Sequence, residues 1–160
     1  MKIFTLLIAI PLVAFSQFTM AQDSLRVRQT SQLLVNYYAI RDALFAGDTK
    51  EASSQATAFI KTANTIDYKL ISEGKINALL KNATKISENK DISTQRDYFS
   101  KLSASMVDLA KSLKLDKQAV YQQYCPMKKA SWLSNDREIK NPYYGNAMPN
   151  CGEVISTFNP

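Results

Sequence analysis

The chain contains no histidine. That absence removes the Ser-His-Asp and Cys-His arrangements of nucleophilic catalysis, and with them the commonest metal ligand of proteins. Glycine is scarce too. Gly47, Gly74, Gly145 and Gly152 are all there are, so no Gly-x-Gly-x-x-Gly nucleotide loop exists. Tyr124 and Lys128 have the Tyr-x-x-x-Lys spacing of some dehydrogenases, but Pro126 stands between them and disturbs the helix on which that spacing depends. The apolar run near the start, Ile3 to Phe15, has thirteen residues and is interrupted by Pro11. A bilayer-spanning helix needs roughly 20. No run of like charge exceeds the pair Lys128–Lys129, and the formal net charge of +6 is spread along the chain. Such a distribution argues for solubility and some affinity for acidic surfaces, not for nucleic-acid binding.

What is present begins with a secretory leader. Lys2 supplies the positive start, Ile3–Phe15 the apolar core and Thr19-Met20-Ala21 the small residues before a cut, predicting a signal peptide over 1–21. No cysteine follows the apolar run, so a lipid anchor is not supported. The expectation is a periplasmic or secreted protein without stable membrane insertion, its residues 22–160 forming one domain. Asn82-Ala83-Thr84 fits the glycosylation pattern but falls inside a predicted helix and is set aside.

Four amphipathic helices are legible. From Leu25 to about Ala46, Leu33, Tyr37, Ile40 and Leu44 recur at helical spacing, and Leu34, Tyr38 and Phe45 widen the stripe. Gly47 is a natural stop. Asp48 and Glu51 then form a capping-box-like entry to a second helix burying Ala52, Ala56, Phe59, Ile60 and Ala63. A third, from about Lys75 to Glu88, carries Ile76, Leu79, Leu80, Ala83 and Ile86 on one face. Asp91 or Ser93 is available to cap the fourth, on which Phe99, Leu102, Met106, Leu109 and Leu113 alternate three and four apart. That spacing is a bundle seam, and Met106 on it reads as core filler. The predicted fold is mainly α: an antiparallel four-helix bundle within residues 24–115. Beyond Leu113, "AVYQQY" reads as either a short strand or a turn or two of helix. Residues 122–155 are interrupted by prolines, glycines and the turn sequence "NPYYGN", which predicts an irregular, turn-rich C-terminal segment. Its apolar content (Trp132, Leu133, Ile139, Tyr143, Tyr144) argues that it packs on the helices.

The chain's only cysteines lie in that segment, each with a methionine beside it: Cys125 with Met127, and Cys151 with Met148. Two readings stand. In an oxidising compartment two cysteines form a disulfide by default. Thiolate and thioether together are soft ligands that suit Cu(I) or Ag(I) far better than calcium or magnesium, and zinc finds too few ligands here. In extended backbone Cys125 and Met127 would face one side, while Met148 and Cys151 are one tight turn apart. An indole such as Trp132 either anchors a loop on a core or shields a bound monovalent cation; it is not counted as a ligand.

The stretch "YCPM…SWLSNDREIKNPYYGNAMPNCGEV", with "YYAIRDALFAGDTKEA" near the start, resembles an uncharacterised exported domain family. That domain occurs alone and as an extension of the periplasmic adaptor (membrane-fusion) subunits of heavy-metal efflux pumps. Cys125, Pro126, Met127, Trp132, Leu133, Ile139, Asn141, Pro142, Tyr143, Gly145, Met148, Cys151 and Gly152 all fall on its pattern. The resemblance implies Cu(I) or Ag(I) handling, with Cys125, Met127, Met148 and Cys151 as ligands and an efflux-pump adaptor or other envelope protein as partner. It shifts the balance toward metal. The expected function is therefore a non-enzymatic, metal-binding accessory of heavy-metal efflux, against a Cys125–Cys151 disulfide-locked interaction module without metal.

Overall fold

In the computed structural model residues 14–159 are described, with side chains from residue 27 onward. The leader expected over 1–21 therefore falls largely outside the described residues. Helix α1 (Ala14–Ala46) is followed by α2 (Thr49–Ala63), α3 (Glu73–Glu88) and α4 (Ile92–Ser112). α1 thus extends further toward the N-terminus than the periodic stripe from Leu25 predicts. Asp48 caps α2 by accepting the Glu51 N–H at 2.9 Å. The reciprocal half of the capping box is absent, because the Glu51 carboxylate accepts from Gln55 instead. Asp91 caps α4 through the Thr94 N–H at 2.7 Å.

The apolar stripes read from the sequence are the core. Leu33, Leu34, Tyr37, Ile40 and Leu44 of α1 are fully buried, as are Phe59, Leu79, Ile86, Phe99, Leu102 and Met106. Successive helices pack on one another, with lighter contact of α1 and α2 to α4. Buried Gln95 donates to the carbonyls of Thr49, Ile86 and Asn89, serving the end of α3, whose last carbonyls have no partner within the helix. Arg96 does the same for α1, donating to the Leu44 carbonyl at 2.9 Å. No helix among the described residues is long and apolar enough to cross a membrane.

The segment expected to be irregular is instead built on a sheet. Strands β1 (Val120–Cys125), β2 (Ala130–Ser134) and β3 (Glu153–Phe158) form an antiparallel sheet in the order β2-β1-β3. The prolines and glycines that suggested irregularity sit between strands: Pro126 in the β1–β2 turn, Pro142, Gly145 and Pro149 in the long connection, and Gly152 just before β3. Irregular backbone is confined to that connection, residues 135–152, which includes one short 3₁₀ turn (Gly145–Ala147).

Side chains from the helices dock the sheet. The Tyr37 hydroxyl accepts the Leu133 N–H at 3.1 Å and shares a hydrogen bond with Ser103 at 2.6 Å. Arg41 donates to Ser134 and Asn135, and Lys128 pairs with Asp97 of α4 at 2.6 Å. The Tyr143 hydroxyl donates to the Ser131 carbonyl at 2.6 Å. Phenol groups thus satisfy the outer edge of β2, where an open strand edge would invite pairing with another chain. β3, at the other edge, exposes Val154 and Ile155.

Candidate metal centre

Cys125 is the last residue of β1 and pairs with Ala130 across the hairpin. The turn between them closes with the Lys129 N–H on the Cys125 carbonyl at 2.8 Å, and Lys129 takes the left-handed conformation (φ 55°) that such hairpin loops place near their end. Proline at the first loop position has its φ preset for this turn.

Cys151 arrives from the other side on the long connection. That loop is closed by the Asn141 N–H on the Pro149 carbonyl at 2.9 Å and by the Gly145 N–H on the Asn141 carbonyl at 2.9 Å. The next residue, Gly152, is a close-approach glycine. A Cβ there would lie 2.9 Å from Trp132 Cη2 and 3.0 Å from the Tyr124 carbonyl oxygen. Without that room Cys151 could not reach the end of β1. The two sulfurs stand 3.3 Å apart, both as free thiols, Cys125 buried and Cys151 half-buried.

The pair is electrostatically unequal. Burial works to raise the Cys125 thiol, but the Lys128 N–H, the Cys151 thiol, the Asn141 side chain and the Met127 N–H together outweigh it and hold its pKa below the usual thiol value. Cys151 is pushed up, first by its hydrogen bond to Cys125, then by burial and the Cys125 charge, with the Met127 N–H opposing. Cys125 therefore gives up its proton before Cys151 does, and once it has, the Cys151 thiol is placed to donate to it. Hydrogen bonds to an ionised sulfur are what lower a cysteine's pKa.

The methionines are placed differently from the cysteines. Met127 lies in the hairpin turn, not in extended backbone, and its side chain is 65% exposed. Its backbone N–H lowers the pKa of both thiols. Met148 is half-buried on the turn before Cys151, whose N–H donates to the Met148 carbonyl at 3.2 Å. Trp132 is fully buried and lies edge-on to Tyr143 with centroids 5.8 Å apart, the position of a loop anchor. Among the described residues no group of three or more His, Cys, Asp or Glu side chains gathers, so a metal here rests on the two cysteines and on sulfur.

Asn141 is the residue whose role the sequence did not disclose. "NPYYGN" announces a turn, and Oδ1 does accept the Tyr143 N–H at 2.8 Å in an Asx turn. Nothing local indicates that its amide also reaches the Cys151 carbonyl, at 2.6 Å, because that contact exists only once the connection is folded.

The family model described as "Protein of unknown function (DUF3347)" matches residues 33–118. The match spans the paired helices from the core of α1 onward and stops just before β1, so it does not include the sheet or the cysteines. No curated protein and no solved structure matches the chain. Because the family model covers more than half of the 160 residues, the chain belongs to the DUF3347 family of proteins of unknown function.

Proposed function

We propose that this protein is an exported, non-enzymatic accessory of heavy-metal handling that binds Cu(I) or Ag(I) through Cys125 and Cys151. In this reading the four helices form an antiparallel bundle that serves as scaffold. Met127 and Met148 lend thioether ligands, and the partner is an efflux-pump adaptor or other envelope protein. The observation that carries the reading is the convergence of the chain's only two thiols at 3.3 Å. Two thiolates sharing a metal at about 2.3 Å each lie roughly 3.5–4.5 Å apart, so a small outward movement of the pair admits an ion. Soft sulfur ligands without imidazole or carboxylate favour Cu(I) over harder ions. The exposed Met127 side chain is free to swing onto such an ion from the solvent side.

The test is competition of the reduced full-length protein against a Cu(I) chelator. One Cu(I) per chain should be retained, Zn(II) should not compete, and Cys125→Ser with Cys151→Ser should abolish retention. Reduced protein that releases all its Cu(I) to a weak chelator would defeat the reading.

The same convergence also favours a Cys125–Cys151 disulfide with no metal. Closing that loop of 27 residues would stabilise the fold by about 3–4 kcal/mol on the chain-entropy model. A thiol count on protein taken from its native compartment separates the two. Two free thiols support metal binding, and none supports the lock.

A further inference from the structure

We infer that the two thiols form an ordered site of thiol–disulfide exchange, in which Cys151 takes up an external disulfide and Cys125 resolves it. The inference needs no metal and stands apart from the Cu(I) reading. It also differs from a static lock, because the Cys125–Cys151 bond then forms and opens through one defined sulfur.

Reach separates the two cysteines. Cys125 is fully buried and part of the main apolar cluster, whereas Cys151 is half-buried at the margin of that cluster. The chain path is the cause. Cys125 ends β1, the central strand of the sheet, while Cys151 sits on the connection between exposed Asn150 and close-packed Gly152. A disulfide arriving from solvent therefore meets Cys151 and not Cys125. Access of this kind governs which thiol exchanges. Ease of ionisation would favour Cys125, so the two criteria disagree and burial decides.

Placement then favours the second step. Both backbone polar groups of Cys151 are held: its N–H donates to the Met148 carbonyl at 3.2 Å, and its carbonyl accepts from Asn141 Nδ2 at 2.6 Å. Its sulfur is thereby kept beside that of Cys125, 3.3 Å away, within the about 3–3.5 Å of a near-attack arrangement. In the first step the Cys151 thiolate, its proton lost to water, attacks the external disulfide. A mixed disulfide forms on Cys151 and one external thiolate leaves. In the second step the Cys125 thiolate attacks the Cys151 sulfur, the mixed bond breaks, and the other external thiolate leaves. Two electrons pass from the protein to the external disulfide, and two protons end on the released thiols. Reduction runs the same path backward, an external thiolate attacking Cys151 and Cys125 leaving. The substrate class is a small disulfide or one on a flexible peptide, since Cys151 is only half open.

The test uses reduced, metal-free full-length protein, oxidised glutathione and mass spectrometry. Wild type should pass to the Cys125–Cys151 disulfide without accumulating a glutathione adduct. Cys125→Ser should trap one glutathionyl group on Cys151, and Cys151→Ser should form its adduct at least about tenfold more slowly. An adduct that forms on Cys151→Ser as fast as on Cys125→Ser overturns the inference. So does a wild type that stays reduced or accumulates the adduct. If either variant unfolds, wild type alone decides: a limiting amount of iodoacetamide, followed by peptide mapping, should label Cys151 ahead of Cys125. Cys125 labelled first, or equally, overturns the order. Because no metal enters these measurements, their failure leaves the Cu(I) competition to be judged separately, and release of Cu(I) there does not touch the exchange.

Discussion

Single side chains at the junction of helices and sheet differ widely in what they contribute, and burial decides which matter. The Tyr37 hydroxyl is fully buried, serves the Leu133 N–H and Ser103, and has its pKa pushed up to about 12, chiefly by burial. It therefore stays protonated through the neutral range. Tyr37→Phe leaves a buried N–H and a buried hydroxyl without their partner, and unsatisfied groups of this kind cost about 1–3 kcal/mol each. A loss of about 2–4 kcal/mol in urea denaturation is expected. Lys128–Asp97 is as short as the Tyr37–Ser103 bond, at 2.6 Å, yet its side chains are 32% and 56% exposed, so Asp97→Asn should change stability by no more than about 1 kcal/mol. Equal effects from the two variants would mean that the junction is not held as described. Legibility at this scale follows the same division. Met106 was readable as core filler from its place on a three-four stripe, and it is fully buried. Asn141 and Tyr37 were not readable as brackets, because their partners lie ten to ninety-six residues away and no local pattern encodes such contacts.

Among the elements, helices were legible, whereas β1 was legible only as one of two readings of "AVYQQY" and β2 and β3 were not, for a physical reason. α4 repeats its apolar positions from Phe99 to Leu109 over about three turns, so its period declares itself, and its cap at Asp91 stands where expected. Each strand has only five or six residues, and β1 buries Val120, Gln123 and Cys125 out of strict alternation. Between the strands lie the prolines and glycines that make the whole stretch read as irregular. Two predictions belong here. The Asp91 carboxyl is held below its ordinary pKa by the Thr94 backbone and side chain. A depressed folded-state pKa means that its contribution is present above the unfolded Asp value of about 3.9 and is lost as pH falls through the folded value. Asp91→Asn keeps a capping oxygen without the charge, so the acid-side fall in urea midpoint should be shallower in the variant. Identical profiles would rule the cap out as its source. Gly145 sits at φ +54°, and a Cβ there would come within 2.6 Å of the Phe45 carbonyl oxygen and 2.7 Å of the Arg96 guanidinium. Gly145→Ala should therefore destabilise by at least about 1 kcal/mol by lifting the connection off the end of α1. A thermal midpoint equal to wild type would show that the connection is not seated there.

Across the whole molecule, the family match and the candidate site occupy different parts of the chain, the match ending at residue 118 and the thiols lying in the sheet region beyond it. The question is whether the sheet is an appendage or part of the same cooperative unit. Its attachments favour the second. β2 packs on α4, Trp132, Leu133 and Tyr143 belong to the same buried cluster as Leu33, Tyr37 and Phe99, and the Tyr37 ring stacks on Phe99 with centroids 5.1 Å apart while its hydroxyl holds β2. A three-stranded sheet of this size has little core of its own and depends on packing against helices for stability. The chain offers a built-in reporter, because Trp132 on β2 is its one tryptophan, whereas far-ultraviolet dichroism is dominated by the helices. In urea the fluorescence and dichroism transitions of the reduced protein should coincide in midpoint and slope, as expected of one two-state unit. A Trp132 transition that precedes the helical one would show that the sheet unfolds alone. The thiol geometry would then be held by the hairpin and the Asn141 loop, without help from the helices.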